Sequence, residues 1–566
     1  MHYEELDRAW RELSAPGAQF EMETLDIRGA PTRVFRNAPA TVRDLWLPTA
    51  SFATRDYMVF EGERVTYGDA HRVAASVANW LLNAGIRRGD RIAVAMRNYP
   101  EWMMIYWGSV SGGVSVVGIN AWWPGEEIAS ALEDSRPKAV FCDVERLERI
   151  LSRPDALGDA RLIVTRGDTL PAGTIAWSEV RDTGGAMPDA QIDPEDDACI
   201  FYTSGTTGFP KGAQLTHRNC ITNIYNIMFG GQVQVLALQR AGLAPPPPET
   251  PPSPAVTLIP TPFFHVTGNT CLAFSSTVRG GVMVLMYKWD ATRALELIAS
   301  ERISEVSGVP VMSREILNHP EYSSYDTASL TSIGGGGASF QADLVSKIDA
   351  VLPGARPRTG YGMTETAGSV TTITGAFLTD KPTSVGRVLP TFETRFVDDD
   401  GRDVAAGEVG ELWLRGGAVI KGYLNKPEES ASTITDGWLH TGDLATIDQD
   451  GFVYIVDRKK DMIIRGGENI YCAEVENCVQ QHPAVAECCV FAIPDDRLGE
   501  AVGAAIVLRD GEQASANDIV AHSARSLARH KIPSRIWFLD EPLPRNATGK
   551  FMKREVRQRL LATDAA

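Results

Sequence analysis

Short apolar runs recur along the first half of the chain, with helically spaced stretches between them: Arg91 to Met96, Val114 to Ile119, Ala139 to Cys142, Leu162 to Thr165, Ala198 to Tyr202, Val256 to Ile259 and Val282 to Met286. Strands that alternate with helices imply layered α/β structure with largely parallel sheets. One connecting helix is legible residue by residue. After Ser339 the apolar positions Phe340, Leu344, Val345, Ile348, Val351 and Leu352 fall at three- and four-residue steps. Met103 to Trp123 is long and uncharged enough to raise the question of a membrane span. Gly108, Gly112 and Gly113 divide it, however, and Val114 to Ile119 reads as a buried strand that follows a buried helix. No integral membrane segment is expected.

A chain of 566 residues exceeds what one hydrophobic core usually serves, so at least two domains are expected. Beyond about Leu389 the strands shorten and Asp-Gly turns appear, at Asp400-Gly401 and Asp450-Gly451, which favour hairpins. After the charged stretch Asp457-Arg458-Lys459-Lys460-Asp461 a small α+β pattern follows. It predicts a helix from about Ala473 to Gln480, strands near Cys488 and Ala504, and a helix near Ile519 to Ala528. The expected architecture is therefore α/β. Residues 1–459 form a large N-terminal domain of layered α/β subdomains with a small β-rich subdomain at about 389–457, and residues 460–566 form a small α+β C-terminal domain. The proline-rich segment Pro245 to Pro254 cannot join a sheet interior and reads as a surface loop.

Charge removes one class of partner. Acidic side chains outnumber Lys and Arg by 72 to 55, and a formal charge of −17 repels a phosphate backbone, so no nucleic-acid partner is expected. The eight cysteines include no C-x-x-C pair and read as free thiols in a reducing compartment. The N-terminus has neither a basic start nor an apolar run, and a cytoplasmic location is expected. A homodimer is compatible with such a chain, although no residue pattern specifies one.

The strongest chemical signal is Tyr202-Thr203-Ser204-Gly205-Thr206-Thr207-Gly208-Phe209-Pro210-Lys211-Gly212, directly after the apolar strand. Its glycines let backbone N–H groups close on an anion, its hydroxyls add donors and Lys211 adds positive charge, a combination that suits a triphosphate. It is not a P-loop of the G-x-x-x-x-G-K-[ST] type, because counting from Gly205 the second glycine falls on Pro210. Gly334-Gly335-Gly336-Gly337-Ala338-Ser339 also lacks the third glycine of the dinucleotide pattern, so hydride chemistry loses support.

Thr203 to Gly212 resembles the phosphate loop of the adenylate-forming superfamily, which includes acyl-CoA synthetases, luciferases and peptide-synthetase adenylation domains. Further blocks follow in that family's order: Pro262-Phe263-Phe264-His265, Gly360-Tyr361-Gly362-Met363-Thr364-Glu365, Gly410-Glu411-Leu412, Thr441-Gly442-Asp443, Gly466-Gly467-Glu468-Asn469 and Gly549-Lys550. The resemblance implies that Thr203, Ser204, Gly205, Thr206, Thr207, Gly208 and Lys211 hold ATP phosphates. Gly336, Gly337, Ala338, Gly360, Tyr361 and Gly362 enclose the adenine. Thr364 touches the α-phosphate, and Glu365, with Thr203, holds Mg²⁺, a cation that favours hard oxygen ligands. Asp443 takes the ribose hydroxyls, for which a carboxylate supplies two acceptor oxygens, and Arg458 also binds the nucleotide. Lys460 is the hinge of a mobile C-terminal domain. Lys550 stabilises the charge that gathers when a carboxylate attacks the α-phosphate. His265 borders the acyl pocket, and Gly466 and Gly467 line a pantetheine tunnel.

The implied activity is that of an acyl-CoA synthetase. A carboxylic acid and MgATP give an acyl-adenylate and pyrophosphate, and coenzyme A then takes the acyl group. Transfer to a carrier-protein phosphopantetheine, luciferase-like oxidation and a non-catalytic acyl-nucleotide sensor are the alternatives. The sensor fits poorly, since Lys211, Glu365, Asp443, Arg458 and Lys550 are all present. The acid itself is not legible. Some long-chain relatives carry a tryptophan gate four residues after the histidine, where this chain has Asn269.

Overall fold

The computed structural model describes residues 3–203, 210–244, 253–338, 340–352, 354–546 and 549–564. Most of the proline-rich segment, residues 245–252, lies outside them. The chain folds as two compact units, Met1–Glu393 with Leu414–Leu439, and Thr394–Trp413 with His440–Ala566.

The first unit is built on two mixed sheets. In one, the spatial order is Gly422–Tyr423, Lys211–Thr216, Asp197–Thr203, Ser115–Gly118, Arg91–Ala95, Ala139–Asp143, Arg161–Thr165 and Ile175–Ala176. Pairing is parallel from Asp197–Thr203 onward, and the two strands at the opposite end are antiparallel. The apolar runs of the sequence fall on the parallel part, because strands covered by helices on both faces need apolar side chains on both. Every residue of Ser115–Gly118 and Ala139–Asp143 is buried. So is every residue of the helix Pro100–Ser111, which accounts for the membrane-like texture of Met103 to Trp123: a helix apolar all round belongs in a core. Among the described residues no helix is long and apolar enough to cross a membrane.

The second sheet of this unit runs Thr371–Thr374, Arg356–Gly360, Ser332–Gly336, Glu305–Gly308, Val256–Ile259, Val282–Leu285 and Asp56–Phe60, parallel from Arg356–Gly360 onward. The helix expected after Ser339 is Ala342–Val351, which buries Leu344, Val345 and Ile348. The longest helix, His217–Arg240, begins in a capping box between Thr216 and Asn219.

A buried histidine, His217, and a half-buried one, His71, tie the stability of this unit to pH. His217 Nδ1 accepts the Val42 N–H at 3.1 Å, and burial pushes the imidazole pKa down to about 4. His71, stacked on Trp46 with ring centroids 3.9 Å apart, is also lowered by burial to about 4. Both are neutral in the folded chain but protonate below an ordinary value of 6.5 once unfolded. Their contribution is thus complete above pH 6.5 and is lost as pH falls from 6.5 towards 4. Denaturant midpoints should fall through this window, and a His71→Asn/His217→Asn double variant should show a flatter decline.

In the second unit, Phe392–Val397, Gly410–Gly416, Trp438–Ile447 and Phe452–Arg458 lie side by side, giving the β-rich character expected beyond Leu389. Both Asp-Gly pairs sit in turns. Asp398 N–H donates to Arg402 O at 2.9 Å, and Asp448 N–H donates to Phe452 O at 3.0 Å. A second sheet, Glu468–Ile470, Ile463–Arg465, Gly499–Leu508 and Val485–Asp495, adds Arg535–Leu539 parallel to Gly499–Leu508. The helix Cys472–Gln480 buries Val475 and Val479 against it. The last expected helix is displaced: it spans Ala516–Ser523 rather than Ile519 to Ala528. Ser515 and Asp518 form a capping box that starts it early.

Candidate active site

The strands Asp197–Thr203 and Lys211–Thr216 form an antiparallel pair in which Thr203 faces Lys211, so the loop between them leaves from the carboxyl end of a parallel strand. Ligands of open α/β sheets bind outside such ends. Ser204, Gly205, Thr206, Thr207 and Gly208 lie outside the described residues. At the rim, Thr203 Oγ1 donates to Lys211 O at 3.5 Å.

Lys211–Thr216 also pairs with Gly422–Tyr423, and this sets Tyr423 opposite Ala213. Lys211 Nζ stands 5.4 Å from the Tyr423 ring centroid. Tyr423 Oη donates to Glu365 Oε1 at 2.8 Å. Burial, followed by the Glu365 charge, pushes the phenol pKa upward, so Tyr423 stays a donor over the whole working range. Glu365 is only 7% exposed. Among the described residues its side chain hydrogen-bonds only to this neutral phenol, and no Lys, Arg or His pairs with it. A buried carboxylate without a counter-cation is costly and therefore suited to a bound cation. No cage of three or more His, Cys, Asp or Glu surrounds it among the described residues. A single carboxylate is what Mg²⁺ commonly takes when phosphate oxygens and water complete its shell.

Thr364, equally buried, precedes Glu365 in a short 3₁₀ turn, Thr364–Thr366. Met363 pairs with Gly368 just beyond, and the chain is tightly folded there: a side chain at Gly362 would meet Gly368 O at 1.8 Å, and one at Gly368 would meet Cys271 Sγ at 2.6 Å. The expected adenine group is gathered at two neighbouring strand ends. Gly336 pairs with Gly360, the exposed Gly337 and Ala338 follow the first strand, and Tyr361 and Gly362 follow the second. Tyr361 N–H donates to Thr371 Oγ1 at 3.0 Å.

His265 is half-buried, with Nδ1 accepting the Thr267 N–H at 3.2 Å. It leads into a seven-residue π-helix, Thr267–Ala273. That helix rests on the Glu365 turn, since Thr270 Oγ1 donates to Ala367 O at 2.7 Å. Asn223 of the His217–Arg240 helix joins the two: its Nδ2 donates to Thr270 O at 3.0 Å and its Oδ1 accepts from Ser369 N–H at 2.9 Å. Sequence reasoning passed over Tyr423 and Asn223. An isolated aromatic in a two-residue strand and a polar residue inside a helix carry no periodic signal, although the Gly before Tyr423 was a weak one.

The second unit carries the remaining expected residues. Asp443 and Arg458 face each other on adjacent strands, with Arg458 Nε 2.9 Å from Asp443 Oδ1. Asp443 is 2% exposed, and its N–H donates to Thr441 Oγ1 at 3.1 Å. Lys460 is exposed in the turn just after Phe452–Arg458, where Asp461 N–H donates to Arg458 O at 2.9 Å. Gly466 and Gly467, with φ of 60° and 89°, form the two-residue turn between Ile463–Arg465 and Glu468–Ile470. Both angles are left-handed, as the hairpin turn most compatible with strand twist requires. Lys550 lies in a loop closed by a bridge between Arg545 and Phe551. Its N–H donates to Asn546 Oδ1 at 3.0 Å, and Asn546 N–H donates to Lys550 O at 2.9 Å.

Known proteins share this sequence pattern and fold. The family model described as AMP-binding enzyme matches residues 48–424, and that described as AMP-binding enzyme C-terminal domain matches residues 474–550. A feruloyl-CoA synthase of Amycolatopsis sp is 35% identical over 501 residues, covering 88% of this chain and 94% of the relative. A long-chain-fatty-acid–CoA ligase of Bacillus subtilis is 32% identical, covering 90% and 92%. Among solved structures, an anthranilate CoA ligase in complex with anthranoyl-AMP superposes with a TM-score of 0.83 at 26% identity, covering 93% of this chain and 98% of that one.

Proposed function

This chain belongs to the AMP-binding enzyme family, and on that basis we infer that it is an AMP-forming acid–CoA ligase that uses ATP, Mg²⁺ and coenzyme A. Of the observations above, the buried carboxylate of Glu365, which no Lys, Arg or His pairs with among the described residues, supports the reading best.

In the first half-reaction a carboxylate oxygen of the acid attacks the α-phosphorus of ATP, the bond to the β-phosphate oxygen breaks, and pyrophosphate leaves with its electron pair. In the second, the coenzyme A sulfur bonds to the acyl carbon, the bond to AMP breaks, and the thiol proton is released. Thr203, Lys211 and the loop between them hold the phosphates. Thr364 contacts the α-phosphate, and Glu365 with Thr203 would hold Mg²⁺, which screens charge on the phosphate oxygens when bound. Gly336, Gly337, Ala338, Gly360, Tyr361 and Gly362 take the adenine. Lys550 serves the first half-reaction, and Gly466 and Gly467 the second. Lys460 is the hinge between a domain of residues 1–459 and one of residues 460–566, so that one motion alternates the two sets. His265 borders the acyl end. An acidic chain whose cysteines are all free, and buried apart from the half-buried Cys271, suits a reducing cytoplasm.

Acid-stimulated ATP–pyrophosphate exchange tests the activity directly, and its absence across short, medium, long and aryl acids would overturn it. Asp443 offers a narrower test. Held by Arg458 at 2.9 Å, its carboxylate is aimed by a fixed partner. Asp443→Asn should raise KM for ATP by roughly tenfold with a smaller change in kcat, as expected when a hydrogen bond made equally in ground and transition states is lost. Steady-state kinetics against ATP would check this.

A further inference from the structure

Glu365 is gripped by a segment that has little secondary structure of its own. Its main-chain oxygen accepts the Ile420 N–H at 3.0 Å, and its Oε1 accepts from Tyr423 Oη at 2.8 Å. Both donors lie on the stretch that ends in Gly422–Tyr423, whose two residues pair with Gln214 and Ala213. The near end of that stretch, Gly417 to Val419, belongs to no strand. There a side chain does the work of a ladder. Asn219, in the first turn of the His217–Arg240 helix, donates from Nδ2 to Gly417 O at 2.8 Å and to Val419 O at 2.9 Å. Its Oδ1 accepts the Thr216 N–H at 2.9 Å, at the end of the strand that begins with Lys211. Asn219 is wholly buried, so one carboxamide, with both donors and its acceptor used, joins the Lys211 strand to the segment that grips Glu365. The packing is close: a side chain at Gly417 would meet Thr222 Oγ1, on the same helix, at 3.1 Å. Val419 O also accepts from Arg28 Nη2 at 3.1 Å, but that guanidinium is partly exposed, and the buried hold is that of Asn219.

We propose that Asn219 is a positioning residue for the carboxylate read above as the Mg²⁺ ligand: by fixing Gly417 and Val419 it sets where Ile420 and Tyr423 hold Glu365 relative to the strand that bears Lys211. The inference rests on the acid–CoA ligase reading and adds to it a residue that acts on the metal only through Glu365. Groups that orient a metal ligand weigh on affinity, because a carboxylate left to turn away from the cation must be brought back when the cation binds. Loss of the Asn219 carboxamide frees two buried carbonyls at the near end of the segment. The displacement passes to Ile420 and Tyr423, one and four residues beyond Val419, and through their hydrogen bonds to both ends of Glu365.

The experiment reads metal affinity rather than turnover. Enzyme saturated with α,β-methylene ATP, which cannot be cleaved at the bridge, is titrated with Mn²⁺ in place of Mg²⁺, and bound ion is read from the loss of the free-ion paramagnetic resonance signal. Asn219→Ala should weaken Mn²⁺ binding by about tenfold, the scale of removing a group that orients a metal ligand. In a Glu365→Gln background the same change should weaken it by less than about twofold, because residues that act through one another are not additive. Gly417→Ala pushes the segment off the helix from the other side; it should move the affinity the same way, and it covers the case in which Asn219→Ala folds badly. Thr216→Val removes the hydroxyl that accepts the Asn219 N–H but leaves the Asn219 donors, and it should lower Tm without moving Mn²⁺ affinity. An Asn219→Ala variant that loses Tm yet keeps wild-type Mn²⁺ affinity would overturn the proposal, since Asn219 would then serve the fold alone. So would an equal loss of affinity in the Glu365→Gln background. Wild-type enzyme that binds no nucleotide analogue would strike the ligase reading and this inference together, an outcome distinct from intact binding that the variants leave unmoved.

Discussion

Lys550→Ala should lower acid-dependent ATP–pyrophosphate exchange by about 10³-fold, the scale expected when a cation that stabilises phosphoryl transfer is removed. The same variant should convert supplied acyl-AMP to acyl-CoA at close to the wild-type rate. The asymmetry follows from where charge develops. Negative charge builds on the phosphoryl and bridging oxygens only while the adenylate forms, and the later attack of sulfur on an acyl carbon builds it elsewhere. Local structure favours a clean result. Asn546 clasps both backbone groups of Lys550, and the Arg545 to Phe551 bridge closes the loop, with Arg545 Nη2 held by Glu487 Oε1 at 2.7 Å. These contacts run through the Lys550 backbone and the Arg545 side chain, both of which Lys550→Ala keeps. Equal loss of both half-reactions would refute the assignment.

Glu365→Gln should lower the adenylation rate by about 10²- to 10³-fold at low Mg²⁺ and raise the Mg²⁺ concentration needed for half-maximal rate by roughly tenfold, the loss expected when a metal-holding carboxylate becomes neutral. Glutamine still accepts the Tyr423 hydrogen bond, so geometry is retained while charge is lost. The variant should also be more stable to denaturant than wild type, because a buried charge without a counter-ion has been removed. Activity and stability moving in opposite directions would mark a group kept for chemistry. Tyr423→Phe removes only the orienting phenol and should cost less, with Mg²⁺ dependence shifted the same way. An unchanged Mg²⁺ titration in Glu365→Gln would show that the carboxylate holds no metal.

Much of the parallel core was legible because burial on both faces forces unbroken apolar runs, and Arg91–Ala95, Val256–Ile259 and Val282–Leu285 begin and end within a residue of the runs that predict them. The Ala342–Val351 helix was legible from its three- and four-residue spacing. The helix Ala516–Ser523 was misplaced because the apolar residues there are few, and the Ser515/Asp518 cap, the one sharp mark of its start, went unread. At the site, glycine-rich and charged blocks pointed to residues one at a time, but not to how they meet. Tyr423 and Glu365 are 58 positions apart, and Asn223 joins Thr270 to Ser369 across 47 and 146 positions. Such meetings depend on sheet order, which local pattern does not encode.

The first unit is discontinuous: Leu414–Leu439 returns to it after the chain has left for the second. A polypeptide emerging from the ribosome can lay down the parallel strands early, yet the edge strand Gly422–Tyr423 and the hydroxyl that orients Glu365 arrive some two hundred residues after Lys211–Thr216, the strand they join. The corner proposed to hold Mg²⁺ is thus among the last parts of that unit to be completed during synthesis, and a nascent chain halted before residue 414 would carry Lys211–Thr216 without the phenol that bonds Glu365.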